Sequence, residues 1–240
     1  MNQEKINSVL FDATNDADLS SAEIPSLDLY LEQIIRLISD KTEQGSPIFS
    51  DRVPTKTMVN NYSKAELISP LKGKTYNKEQ IIQILLTNSL KNTLSIAEIK
   101  SVMDCIYKDK AAATENLFSL YEQYIDVKKI NRQLAVNDAE SLIEQSNLSS
   151  DNPLDTISLS LALSSLADYF KCMSKALLKE AVDEILPTEE SCDKLPEEDK
   201  KAAKKARKAA EKAAKKAVEN TERYTEESLI ENNLDDRIEE

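Results

Sequence analysis

The most regular hydrophobic pattern of the chain lies between residues 153 and 186. Its apolar positions recur at intervals of four, three, four, three and four residues. This spacing puts them on one face of an α-helix and is typical of a coiled-coil seam. The seam is explained either by packing within its own subunit or by self-association, so helices within 111–186 are a candidate homodimer interface. The positions are Leu159, Leu163, Leu166, Phe170, Met173 and Leu177.

Shorter apolar stripes at helical spacing precede this helix. Residues 26–41 carry Leu and Ile at such positions, with Ser26 as the predicted N-cap residue. Another stripe extends from about Ala112 to Leu134. Gly and aromatic residues are few, and long stretches are rich in Leu, Ile, Lys, Glu and Ala. The sequence therefore predicts an all-α protein.

Two capping boxes mark the beginnings of helices in the middle of the chain. Asn77 is followed three residues later by Gln80, and Ser95 is followed three residues later by Glu98. In each pair the first side chain can accept a hydrogen bond from the backbone N–H of the second residue, while the second side chain reaches back to the first N–H. We expect one helix to begin after each box.

Composition divides the chain into four segments. Residues 1–24 are acidic and polar, which predicts a flexible arm. Residues 25–110 hold the capped helices, and residues 111–186 form a helical extension. Residues 187–240 are a charged tail.

The tail contains a Lys/Ala-rich segment, 200–216, which is predicted to be helical. It holds nine Lys and Arg residues and one acid, Glu211. Such a positive stripe fits either a nucleic-acid-binding arm or a solvated spacer whose lysines are occupied by the flanking acidic segments. We favour the spacer.

Several classes of activity lack the residues that they need. The chain has no His and two Gly, which excludes His-based catalytic sites and glycine-rich phosphate loops. Its three Cys are too irregularly spaced for a disulfide framework or a zinc site. We therefore expect no enzyme activity, no metal and no cofactor.

The beginning of the sequence has no basic segment followed by an apolar run, and no stretch approaches the length that spans a bilayer. These features predict a cytoplasmic protein that makes no contact with a membrane. A formal net charge of -12 opposes binding to DNA, so any contact with nucleic acid must be local.

Segment 51–92 is a basic exception, with seven Lys and Arg residues and three acids. Within it a polar helix is followed by a turn at Pro70, a short basic loop with Gly73, and the helix that Asn77 caps. This is the order of elements in a winged helix-turn-helix. Asn side chains can pair with adenine in the major groove, while Lys and Thr can reach phosphates.

The segment accordingly supplies our candidate DNA-binding residues. The alternative is that Asn60 and Asn61 are ordinary solvated residues and that Tyr62 belongs to the core. The candidates in the helix are Thr55, Lys56, Thr57, Asn60, Asn61, Tyr62 and Lys64, and those in the wing are Lys72, Lys74 and Tyr76.

The stretch TKTMVNNYSKAELISPLKGKTYNKEQI, together with the later LSIAEIKSVM, resembles the N-terminal DNA-binding domain of MerR-family regulators. Tyr62 matches the Tyr that ends a helix in that family, Pro70 matches its turn, and Lys74 with Tyr76 matches the end of its wing. The resemblance implies duplex DNA as the partner, with residues 55–62 in the major groove and residues 72–76 along the phosphates.

Three positions depart from the MerR pattern. Asn60 stands where that family has a phosphate-contacting Arg, Glu66 replaces the Gly of its turn, and Lys74 replaces the Arg of its wing. Fewer cationic groups and an additional acid lower the affinity for phosphate, whereas the two adjacent Asn residues are suited to reading bases.

A second resemblance covers roughly residues 24–130. The blocks IPSLDLYLEQIIRLI, TKTMVNNYSKAELISPLKGKTY and LKNTLSIAEIKSVM resemble a bacterial domain-of-unknown-function family, numbered eighteen thirty-six, in the expected order. This resemblance implies a MerR-like helix-turn-helix and leaves the biochemical function open.

Two functional hypotheses follow. The first is a DNA-binding transcriptional regulator of MerR-like type. The second is a helical protein-interaction module that retains the helix-turn-helix shape without binding DNA, which the negative net charge and the departures at Asn60 and Glu66 favour.

Overall fold

A computed structural model of the protein describes residues 3–146, 148 and 152–187. The chain divides into two units, Met1–Val182 and Asp183–Glu240, and only residues 183–187 of the second are among those described. The predicted Lys/Ala helix at 200–216 lies outside the described residues.

The described residues are mostly helical, which confirms the all-α prediction. Short 3-10 helices lie at Ser21–Glu23 and Pro47–Arg52, and a two-residue strand pair completes the fold. The α-helices are α1 Gln3–Thr14, α2 Leu31–Thr42, α3 Lys56–Lys64, α4 Lys78–Leu90, α5 Ile96–Ile106, α6 Ala113–Gln145 and α7 Pro153–Ile185, and the strands are β1 Leu29–Tyr30 and β2 Thr75–Tyr76.

Helix α4 lies at the centre of the core of the first unit. Eight consecutive residues, 80–87, are buried, which is typical of a helix surrounded on all sides. The predicted capping box at its N-terminus is confirmed, since Asn77 Oδ1 accepts from Gln80 N at 2.9 Å and Gln80 Oε1 accepts from Asn77 N at 2.9 Å. The box at Ser95 and Glu98 is also present at the start of α5.

The first core helix begins later than the sequence predicts. Its N-cap residue is Tyr30 and not Ser26, so the prediction at Ser26 was wrong. Leu29 and Tyr30 pair in antiparallel register with Tyr76 and Thr75. Because this pairing requires an extended backbone at residues 29 and 30, α2 cannot start before Leu31. A contact between residues so distant in sequence leaves no mark in the local helical pattern.

Residues 1–24, predicted as a flexible arm, include helix α1 and the 3-10 helix Ser21–Glu23. Ile6 is buried on α1, which packs on α6. The hydroxyl of Tyr121 on α6 donates to the carbonyl of Leu19 at 2.5 Å. The segment therefore has its own hydrophobic anchors to the core despite its acidic composition.

An ion-pair cluster fixes the loop after α1 to α6. Lys128 Nζ lies 2.6 Å from Asp16 Oδ2, and Arg132 Nε lies 2.6 Å from Asp16 Oδ1. Both cations also pair with Asp18. Burial opposes ionisation of Asp16, but the hydrogen bonds and charges of the two cations outweigh it and lower the pKa of that carboxyl. The acidic residues of this segment are thus structural partners of α6.

The two long helices differ in how much of their surface is covered. In α6 the N-terminal half contributes Leu117, Tyr121 and Ile125 to the core. In α7, all of whose residues are described, Leu159 alone is buried. The second half of the predicted seam is open, because Phe170, Met173 and Leu177 are 53%, 58% and 73% exposed.

Among the residues described, no helix has both the length and the apolar content needed to cross a bilayer.

Candidate nucleic-acid interface

Helix α3 separates its residues into a buried and an exposed face. Thr55 caps its N-terminus, with the Thr55 side chain accepting from Met58 N at 3.3 Å. Val59 and Tyr62, three residues apart, turn into the core. The remaining polar side chains therefore face outward as one continuous surface. The exposed residues of this face are Thr55, Lys56, Thr57, Asn60, Asn61 and Lys64.

The C-terminus of α3 is closed by a Schellman motif around Glu66. Leu67 N donates to Tyr62 O at 3.0 Å and Glu66 N donates to Ser63 O at 3.1 Å, which is the paired pattern of that motif. Glu66 has a φ of 56°, in the left-handed region where Gly is favoured. Glu66 thus has a backbone conformation that favours Gly, although this chain places an acid there.

The turn after α3 is held by two glutamines of α4. Gln83 Oε1 accepts from Ser69 N at 2.8 Å, and Gln83 Nε2 donates to Ser69 Oγ at 2.9 Å. Gln80 Nε2 donates to the carbonyls of Ser69 and Pro70, each at 3.1 Å. Both glutamines are buried and satisfied by the turn, so their hydrogen bonds fix its path relative to the core.

Residues 72–76 form the candidate wing. Gly73 has a φ of 100° and open space where a Cβ would lie, so it is required for its backbone conformation and not for close packing. After Gly73 the chain enters β2, which pairs with β1 just before α2. The base of the loop is therefore joined to the start of α2, while Lys72 and Lys74 are exposed.

Two of the predicted DNA contacts are core residues. Tyr62 and Tyr76 are 4% and 5% exposed, and burial raises the pKa of both hydroxyls. Tyr62 donates to Asn88 Oδ1 at 3.4 Å, and Tyr76 lies in β2, where it pairs with Leu29. Their assignment as contact residues is corrected on these grounds, because a duplex outside cannot reach side chains that the core covers. Tyr62 and Tyr76 instead belong to the core beneath the candidate interface.

The lysines of the interface are not equivalent. Lys56 Nζ lies 2.6 Å from Glu32 Oε1 of α2, and this lysine lowers the pKa of the Glu32 carboxyl. Within the described part of the chain Lys64, Lys72 and Lys74 make no ion pair. These three are the cations most available to an incoming anion, since Lys56 would first have to leave a carboxylate.

Sequence reasoning missed the residues that hold the interface in place. Glu32 and Gln83 act on partners 24 and 14 positions away, namely Lys56 and Ser69. Nothing in their local sequence distinguishes them from ordinary polar residues. Gln80 was identified as a cap but not as a support of the turn.

Among residues 3–146, 148 and 152–187, no group of three or more Cys, Asp and Glu side chains is arranged to hold a metal ion. Of the three Cys in the sequence, Cys105 and Cys172 are described as free thiols.

Residues 19–124 match the model of one protein family, the Domain of unknown function (DUF1836). The match supports the family resemblance inferred from the three sequence blocks and includes the whole candidate interface. No curated protein and no solved structure matches the chain. The family description names no activity.

Proposed function

We propose that the protein is a DNA-binding transcriptional regulator whose reading head is a MerR-like winged helix-turn-helix within residues 25–110. The observation that carries this proposal is the exposed polar face of α3 next to a lysine-bearing loop, both anchored to the α4 core. A helix of this kind with Asn and Thr outward can enter a major groove, and a basic loop can follow the phosphates.

The exposed residues divide by chemistry into two roles. Asn60 and Asn61 present amide groups that can pair with adenine N6 and N7. Lys64, Lys72 and Lys74 supply phosphate contacts, and Thr55 and Thr57 lie at the helix N-terminus, where phosphate oxygens are also favoured. Lys56 contributes only when its pair with Glu32 opens.

A second copy of the chain is part of this proposal. A two-fold dimer would present two α3 helices to one duplex, and the open apolar face of α7 is the surface on which we place the pairing. Phe170, Met173 and Leu177 are all more than half exposed there, and a helical seam of this kind pairs with another of the same spacing.

Salt-dependent binding to duplex DNA tests the proposal. The full chain is titrated into a fluorescein-labelled random duplex and into duplexes from selection on a randomised library, at 50–300 mM KCl, and anisotropy is recorded. Removing one phosphate-binding lysine is expected to reduce the slope of log K against log salt by about 1. Lys72→Gln and Lys74→Gln should each do so. Asn60→Ala and Asn61→Ala should reduce the preference for the selected duplex by roughly tenfold and leave the slope unchanged.

Lys129→Gln is the matched control, because Lys129 is an exposed lysine of α6 that pairs with Asp126 at 2.7 Å and lies outside the interface. It should leave both slope and preference unchanged. Absence of binding to every duplex at 50 mM KCl, or a Lys129→Gln effect equal to those of the two wing variants, would overturn the proposal.

The second candidate is a protein-interaction module that uses the same helix-turn-helix shape. The pairing of Lys56 with Glu32, the acid at Glu66 and the net charge of -12 favour it. A folded chain that fails to bind DNA in the salt titration would make this candidate the stronger one.

A further inference from the structure

A cleft of about 500 Å³ lies between the turn that follows α3 and helix α5. Its apolar wall is made by Leu67, Pro70, Leu71 and Met103. Ser69, Gln83 and Tyr107 also line it, and their polar groups are already engaged with one another. An open cleft of this volume with an apolar wall and a few polar groups has room for a small molecule.

One side of the cleft already holds an ammonium group. Lys100 Nζ lies 3.1 Å from the carbonyl of Glu66, 3.2 Å from Glu66 Oε2 and 3.5 Å from Asp104 Oδ1. Three oxygen atoms thus converge on a position that a positively charged nitrogen occupies. Glu66, Lys100 and Asp104 all line the cleft. The position of the Lys100 ammonium is therefore continuous with the apolar wall.

The charges of the rim are unbalanced. Two carboxylates, from Glu66 and Asp104, face the single ammonium of Lys100 among the residues that line the cleft. The backbone carbonyls at the end of α3 add partial negative charge on the same side. An anionic ligand would have to compete with both carboxylates for Lys100, whereas a cation gains from the surplus acid.

We propose that this cleft binds a small organic ammonium ion that carries an apolar body. The ammonium takes the position of Lys100 Nζ between Glu66 and Asp104, and the flexible side chain of Lys100, which is 34% exposed, turns into solvent. The apolar body lies against Leu67, Leu71 and Met103. Such a ligand touches Glu66, in the motif that closes the C-terminus of α3, and Leu71, which precedes the wing, but its binding is independent of whether the chain binds DNA.

Methionine methyl resonances provide a direct test. The chain has four Met, and Met103 is the one among the described Met residues that lines the cleft. Full-length protein labelled at the methionine methyl carbon is titrated with phenethylammonium chloride. The resonance of Met103, assigned with Met103→Leu, is expected to shift saturably, while those of Met58 and Met173 do not. 2-Phenylethanol, which is neutral, and 3-phenylpropionate, which is anionic, should shift Met103 less at equal concentration.

Three variants test the charge arrangement. Glu66→Gln and Asp104→Asn should each raise the dissociation constant for phenethylammonium about two- to fivefold, because each removes one exposed carboxylate partner. Lys100→Ala should lower it by a similar factor, because it vacates the ammonium position. The control Lys129→Ala removes a lysine that is paired on α6 and should change nothing.

The sign of the Lys100→Ala effect separates this proposal from a merely apolar groove. Equal shifts with all three phenethyl compounds, or an affinity that Lys100→Ala leaves unchanged or weakens, would overturn it. Stronger binding of 3-phenylpropionate than of phenethylammonium would identify an anion site instead and would equally overturn it.

Discussion

At the scale of single residues, Glu66 combines three properties that are usually separate. It occupies a left-handed backbone position with a φ of 56°, it completes the C-terminal motif of α3, and its side chain pairs with Lys100. The pair is worth little, because the Glu66 side chain is 81% exposed. The backbone position therefore dominates the energetics of this residue.

Replacing Glu66 by Gly is expected to stabilise the protein. A side chain in the left-handed region costs about 1 kcal/mol, and Gly avoids that cost. We expect Glu66→Gly to be about 1 kcal/mol more stable than Glu66→Ala, measured from urea unfolding midpoints. The comparison with Ala cancels the effect of removing the carboxylate, so equal stability of the two variants would show that the φ of 56° carries no strain.

The opposite change at Gly73 isolates the same backbone effect in the wing. A Cβ at Gly73 meets no atom within 4 Å, but its φ is +100°. Gly73→Ala should therefore lower the free energy of unfolding by about 1 kcal/mol through backbone strain alone. Lys72→Ala, at the preceding exposed position, serves as the control and should leave the urea midpoint unchanged.

At the scale of elements, the start of α5 is both a capping box and a contact with α7. Glu98 Oε2 accepts from Ser95 N at 2.7 Å, and Glu98 Oε1 lies 2.9 Å from Lys175 Nζ. The backbone hydrogen bond to Ser95, then Lys175, lower the pKa of the Glu98 carboxyl to about 2. The same carboxylate thus stabilises a helix end and joins a helix that buries very little else.

Protonation of Glu98 should accordingly contribute to acid destabilisation. Its folded pKa of about 2 lies below the ordinary value of 4.5, so its contribution is present above pH 4.5 and disappears as the pH falls toward 2. Glu98→Gln keeps a capping acceptor but cannot titrate. Urea midpoints measured from about pH 5 to about pH 2.5 should fall less steeply for this variant than for the wild type.

The control for Glu98 is Glu115→Gln. Glu115 is an exposed residue in the first turn of α6, and its carboxylate makes no hydrogen bond or ion pair to another described residue. Its midpoints should follow the wild-type dependence on pH. If the urea midpoint of Glu98→Gln fell with pH as steeply as that of the wild type, the hydrogen bonds of Glu98 would contribute no proton-linked stability.

Whether a contact could be predicted from the sequence depended on how many positions separate its two residues along the chain. The capping boxes at Asn77 and Ser95 join residues three positions apart and were readable in advance. The pairing of Asp16 with Arg132 spans 116 positions, and the strand pair that moved the start of α2 spans more than 40. Asn60 and Asn61 are exposed, as the polar composition of α3 suggests, whereas the burial of Tyr62 and Tyr76 depends on tertiary packing.

For the whole molecule, the exposed apolar face of α7 is the feature that a single copy leaves unexplained. Soluble proteins rarely leave contiguous apolar surface of this kind uncovered. The open half of the seam, from Phe170 to Leu177, covers eight residues, or about 12 Å of helix. We therefore expect the full chain to sediment as a dimer at micromolar concentration.

Charges introduced into the open half of the seam should dissociate that dimer. Met173→Glu combined with Leu177→Glu places two carboxylates where the pairing requires apolar contact, at residues that are 58% and 73% exposed and so contribute little to the monomer fold. We expect sedimentation velocity to give a monomer and circular dichroism to give an unchanged helical content. The double variant Leu154→Glu with Leu161→Glu is the matched control, because these leucines are 69% and 66% exposed on the same helix but lie outside the seam. A dimer that both variants disrupt equally would place the interface elsewhere on α7, and a wild-type monomer at about 100 μM would remove the second copy from the proposed regulator.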